Sequence, residues 1–331
     1  MTTRLRTSTS PPRLPRVVLS VALLAGALSA CSKDETIRAE PNDSGVGDGG
    51  VGGAAGSVAC ATGLPGPVLV RIDTTDGATY CMDQREVTWG EYQAFSSKKG
   101  ADTSGQPPEC AWNTSYWPQY WDPSDDTHVG YKCPAGTPYP ADDAAANCVD
   151  FCDADAYCAW AGKRLCGRVG GPKKWGRVDI VVSEDAGPLG PQWDAAQKIV
   201  ASTAMEFQHA CTQGGKTTFP YGNQYQAGTC IDAAWVAAKG SKSLGVVDLS
   251  NRACHGTEPP FDAIYDLSAG VREWQNFCAV TGGLVCHTIG GSSDPYESTH
   301  LGCADNPGVG SAQQVDPYIG FRCCADPVPA P

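Results

Sequence analysis

Apolar positions fall into three regimes along this chain. Near the start they run together, with Val17 to Leu28 almost wholly apolar behind Arg4, Arg6, Arg13 and Arg16. That run is too short to span a bilayer as a mature helix and reads as the apolar core of an export signal. Further on they recur with helical spacing. Val87, Tyr92 and Phe95 share one face of a predicted helix with Thr88 as N-cap. Ala154, Tyr157, Cys158 and Ala161 form the stripe of a second helix within Asn147–Arg168, capped by Asp150 or Asp153. Lys163 and Arg164 fall at its C-terminal end, where positive charge complements the helix dipole. Thr203–Cys211 repeats the helical pattern. Beyond Cys211 the pattern shortens to strands punctuated by turn formers, among them Gly214-Gly215, Gly222-Asn223, Pro259-Pro260 and Gly290-Gly291.

The leader closes on Leu28-Ser29-Ala30-Cys31, which looks like a bacterial lipobox. Residues 1–30 then form a lipoprotein signal peptide, and Cys31 becomes a lipidated N-terminus whose partner is a membrane. The other reading is an ordinary secretory signal cleaved nearby. Residues 31–58 are rich in Gly, Ala and Asp with almost no large apolar side chain, so they read as a flexible tether. Residues 59–331 remain as one domain. Ser32 is not the acidic residue that signals inner-membrane retention in some bacteria, which favours the outer membrane of the cell envelope.

Cysteine and charge narrow the class. The chain has 17 cysteines, and setting Cys31 aside leaves 16, an even number that suits a disulfide framework in an exported protein. Cys278 and Cys286 flank a predicted hairpin that they could staple. The formal charge is −12, and removing the four leader arginines leaves −16. Such a balance argues against nucleic acid as a partner. The five histidines, at 128, 209, 255, 287 and 300, show no metal-ligand spacing.

Five segments follow one another in order: Met82-Asp83-Gln84-Arg85-Glu86-Val87-Thr88; Asp155 to Leu165, containing Trp160-Ala161-Gly162-Lys163-Arg164; Phe219-Pro220-Tyr221-Gly222-Asn223; Tyr265-Asp266-Leu267-Ser268 running into Glu273-Trp274; and Gly320-Phe321-Arg322-Cys323. In this order they resemble the formylglycine-generating enzyme (sulfatase-modifying factor) domain family. The resemblance implies an α+β domain, a complex variant of the C-type lectin type, rich in loops and disulfides. It marks residues 167–201 as an insertion between two helices that the family joins directly, and so as a surface excursion. It also implies the disulfides Cys158–Cys323 and Cys211–Cys303. Cys324 must then pair elsewhere, or form a reactive vicinal pair with Cys323.

The family's chemistry rests on a copper-binding cysteine pair between a Gly-Gly-Ser strand and a later structural cysteine. Here Gly290-Gly291-Ser292 and Cys303 match those landmarks, and no cysteine lies between them. Copper(I) prefers soft sulfur ligands, so copper is not expected. The resemblance also implies a structural calcium, with side-chain ligands Asp266 and Glu273, carbonyl ligands Ala269 and Val271, and Asp232 near a second site. Oxygen donors of this kind suit a hard cation. Ala269, Gly270 and Arg272 depart from the family's glycine, asparagine and tryptophan. An aromatic loop holding Trp112, Tyr116, Trp117 and Trp121 either packs as a minor core or lines a groove. With the stretch from Ser292 to His300 it forms the candidate ligand surface. The reading is therefore a lipid-anchored envelope protein without catalytic residues, used for binding a peptide, a glycan or another envelope protein, or for structural support. The alternative is a cysteine oxidase with rearranged ligands.

Overall fold

The computed structural model describes residues 57–117, 142–171, 176–177, 202–239, 253–280, 284–293, 301–305 and 308–330. All lie in one compact unit, Gly53–Pro331. Cys31, Trp121 and His300 fall outside the described residues, as do most of the tether and of the 167–201 insertion.

The architecture is α+β with short elements. A four-stranded antiparallel sheet runs in the order β2 (Leu69–Asp73), β3 (Thr79–Asp83), β10 (Cys323–Ala325), β4 (Arg164–Leu165). A second sheet runs β5 (Gly176–Arg177), β6 (Arg272–Val280), β7 (Leu284–Ile289), β8 (Gly308–Ser311), with β9 (Ile319–Gly320) parallel to β6. β1 (Val58–Ala59) pairs with β11 (Val328–Pro329), bringing the two ends of the domain together. β5, inside the insertion, adds a parallel edge to β6, so part of that excursion extends a sheet.

The helices sit where the apolar spacing placed them, but shorter. α1 (Trp89–Lys99) starts at Thr88 with a capping box: the Glu91 amide donates to Thr88 Oγ1 at 3.4 Å, and the Thr88 amide donates to Glu91 Oε2 at 2.9 Å. Its inward face is Trp89, Tyr92 and Phe95. α2 (Phe151–Trp160) is capped by Asp150, whose Oδ1 accepts from the Asp153 amide at 2.8 Å. Cys148, at φ 57°, keeps the helix from starting earlier, and Gly162, at φ 73°, stops it. Lys163 and Arg164 therefore do not serve the helix dipole. Lys163 turns inward to Asp83, and Arg164 enters β4 and pairs with Glu206 of α3 (Glu206–Cys211). α4 (Ala233–Lys239) lies where only turns and strands were predicted. It rests on Asp232, whose Oδ1 accepts from the Trp235 amide.

Successive strand residues face opposite sides of a sheet, and β10 uses this to fasten both sides. Cys323 belongs to the core that holds Tyr92, Phe95, Tyr157, Trp274 and Phe321. Cys324 belongs to the core that holds Ile72, Tyr80, Met82, Phe207 and Phe277. Cys323 is bonded to Cys158 of α2, and Cys324 to Cys166 just after β4. Alternation thus separates the adjacent thiols, and the expected Cys158–Cys323 pairing is present. So are Cys211–Cys303 and the hairpin staple Cys278–Cys286. Cys60–Cys81, Cys110–Cys152 and Cys230–Cys254 join them. Cys148 is disulfide-bonded as well, so every cysteine among the described residues is in a disulfide. In a chain-entropy account the long closures contribute roughly 3–5 kcal/mol each.

The first turn of α2 carries a buried acidic pair. Burial pushes the Asp150 carboxyl up to about 7, and burial together with the Asp150 charge pushes Asp153 well above the usual range. Because both folded values exceed the unfolded ones, the stability they supply is complete below the unfolded carboxylate range. It is lost as pH rises through about 7. The urea midpoint should therefore fall between about pH 5 and about pH 8. Asp153→Asn, which keeps an acceptor for the Asn113 amide, should flatten that fall. An equal slope in the variant would refute the assignment.

Candidate functional site

The polar centre of the domain is a single guanidinium. Arg322, two residues beyond β9, is fully buried. Its Nε donates to Glu273 Oε1 and Oε2 at 2.9 and 2.8 Å, and its Nη2 donates to Glu273 Oε1 at 2.7 Å. Nη2 also donates to the Asp266 carbonyl at 3.2 Å and lies 3.7 Å from Glu86 Oε2. Nη1 donates to the Asp83 carbonyl, and the guanidinium sits 5.8 Å from the Phe207 ring centre. Burial opposes this charge, and Glu273, Glu86 and Asp266 outweigh that, so its pKa is raised.

The loop around this centre is bent by backbone of left-handed sign. Asp266, Ala269 and Gly270 have φ of 58°, 66° and 70°. The Ala269 amide donates to the Gly290 carbonyl, the Gly270 amide to the Ile231 carbonyl, and the Ser293 amide to the Gly270 carbonyl. The loop is thereby held against the start of the stretch in which the family keeps its thiols. Glu86 faces it: a Cβ on Gly270 would lie 3.4 Å from Glu86 Oε1. Neither Glu86 oxygen has a hydrogen-bond partner, and burial pushes its carboxyl well above the usual range against the pull of Arg322. Three buried carboxylates thus surround one guanidinium, which leaves room for a proton or a cation to balance them.

The expected site residues divide on this geometry. Asp266 and Glu273, the side-chain ligands that the resemblance implied, both adjoin Arg322, Asp266 through its carbonyl, and both Glu273 oxygens face the guanidinium. Asp232 has both oxygens committed, Oδ1 to the Trp235 amide and Oδ2 to the Tyr225 hydroxyl and the Gly228 amide. Of the aromatic loop, Tyr116 is core, 5.0 Å from the Phe95 ring, and its carbonyl accepts from the Tyr92 hydroxyl. Trp112 packs against the same core, whereas Trp117 is 44% exposed. Ser292 is buried rather than presented on a surface, because Gly290 and Gly291 turn the chain inward after β7. Glu86 and Arg322 were missed as site residues. Both lie inside the motifs Met82–Thr88 and Gly320–Cys323, and a charged residue within a motif was the available signal.

A loop-rich α+β domain closed around a buried arginine, with paired acids beside a Gly-Gly-Ser strand end, defines the class. Residues 69–327 match the family described as the Sulfatase-modifying factor enzyme 1-like domain, and the chain belongs to it. Among solved structures it is similar to PvdO from Pseudomonas aeruginosa (16% identity, 78% of this chain and 92% of that one, TM-score 0.44). It is also similar to CarF (17% identity, 80% and 96%, TM-score 0.40). A third is Treponema denticola variable protein 1 (15% identity, 80% and 93%, TM-score 0.37). No curated protein matches.

Removing the guanidinium leaves buried carboxylates without their counter-charge. Arg322→Ala should cost about 3–5 kcal/mol in guanidinium denaturation. A loss well under that would mean that the carboxylates are neutral without Arg322.

Proposed function

We propose that this chain is an exported, lipid-anchored envelope protein that uses a sulfatase-modifying-factor scaffold for binding or structural support, not for cysteine oxidation. One observation carries the reading. No cysteine lies between Gly290 and Cys303, and every cysteine of the described residues is already in a disulfide. An oxidase of this type needs a thiolate pair to hold a soft metal. The density of disulfides fits export. No helix among the described residues is long and apolar enough to cross a membrane, so anchoring rests on Cys31. The exposed Trp117 is the described residue left open for a peptide, a glycan or an envelope protein.

The test is a copper-supplemented assay on a Cys-x-Pro-x-Arg peptide, read by mass, with free thiols counted on the same sample. The expected result is no aldehyde and no thiol in the mature domain. Aldehyde formation would overturn the reading in favour of an oxidase with rearranged ligands.

A structural calcium belongs to the same reading. Glu86, buried with neither oxygen hydrogen-bonded, fits a hard cation better than Glu273 does, and it lies beside the Asp266–Val271 loop. Saturating calcium at about a hundred times its Kd would add roughly 2.7 kcal/mol. Melting should therefore rise by several degrees over chelator-treated protein, and Glu86→Gln should abolish the rise. Identical melting with calcium and with chelator would sink this part of the proposal.

A further inference from the structure

Another fully buried ion pair touches the Arg322 centre through the Asp83 carbonyl, but its charged groups face each other. Lys163, in the turn between α2 and β4, places Nζ 2.5 Å from Oδ1 of Asp83, the last residue of β3. Both side chains are wholly inaccessible, at 0% each. Lys163 Nζ also donates to the Pro67 carbonyl at 2.8 Å, and Asp83 Oδ2 accepts from the Cys323 amide at 2.9 Å. Tyr157 closes the pocket. Its hydroxyl has no hydrogen-bond partner, and a Cβ on Gly66 would meet both that hydroxyl, at 2.6 Å, and Lys163 Nζ, at 3.6 Å.

We propose that Lys163 and Asp83 become joined by an intramolecular isopeptide bond. An ion pair sealed from water bears the desolvation cost of two charges. One proton passing from Nζ to Oδ1 along their contact yields a neutral amine beside a neutral carboxylic acid. Burial pushes the Asp83 carboxyl up to about 7 despite the adjacent ammonium, which brings the acid form of this partner within reach. The amine lone pair then faces Cγ at the high effective concentration that enforced contact provides. The Nζ–Cγ bond forms and the Cγ–Oδ1 bond breaks. Oδ1 leaves as water with two protons, the one already transferred and a second that Nζ releases as it becomes the amide nitrogen, so no oxidant, reductant or co-reactant is needed.

The surroundings suit the product. Oδ2, as the amide oxygen, still accepts from the Cys323 amide, and this donor can stabilise the oxyanion while the bond forms. The remaining Nζ–H still donates to the Pro67 carbonyl. Both hydrogen bonds survive while both buried charges disappear. The bond would tie β3 to the α2–β4 turn next to the Cys158–Cys323 disulfide, and reduction would not cut it.

The experiment is peptide mapping of the exported full chain after reduction, alkylation and trypsin. The expected product is a branched species in which Ile72–Arg85 is joined to a peptide ending at Arg164. It should be uncleaved after Lys163 and lighter than its two parts by one water. Lys163→Arg should eliminate it completely. Recovery of Ile72–Arg85 only as a linear peptide of full mass, with cleavage after Lys163, would leave a plain ion pair and overturn the proposal.

Discussion

The burial of Arg322 is the constraint around which this domain is arranged. A guanidinium cannot be taken out of water without carboxylates and carbonyls to receive its donors. Those partners come from four separate places: Glu273 on β6, the Asp266 loop, Glu86 before α1, and the Asp83 carbonyl at the end of β3. Each of these segments is thereby fixed relative to the C-terminal strands. The left-handed residues of the Asp266–Gly270 loop and the buried carboxylate of Glu86 follow from that demand.

Around this centre the chain relies on covalent closure more than on long elements. The longest helix described is α1, and several strands have only two residues, so backbone pairing alone holds little. β10 compensates. Three residues long, it pairs with β3 and β4, and its adjacent cysteines fasten one core on each face. The Lys163–Asp83 contact and the bidentate Arg164–Glu206 pair bind the same region from the helix side.

The functional reading follows from the contrast between what is kept and what is absent. The parts of the family pattern that build the scaffold are present, down to the acids beside the Gly-Gly-Ser turn. No thiol lies between Gly290 and Cys303, and the cysteines of the described residues are all in disulfides. A disulfide-locked, acidic domain suits the proposed binding role better than redox cycling, since cycling needs a thiolate that can form and leave.

Local pattern alone was enough to place α1 and α2, though not α4, because Val87, Tyr92 and Phe95, and Ala154, Tyr157 and Cys158, repeat at helical spacing and Thr88 and Asp150 are cap residues. The motif order was enough for the family and for two of the disulfides. The absence of a thiol between Gly290 and Cys303 needed no structure at all. Tertiary structure alone decided the fate of the charges. Lys163 and Arg164 look like helix-end cations in one dimension, and they are ion-pair partners of Asp83 and Glu206 in three. Glu273 looks like a cation ligand until Arg322 is seen against it. The reason is physical: spacing along the chain encodes which face a side chain takes, whereas the energy of a buried charge depends on groups that only folding brings within contact.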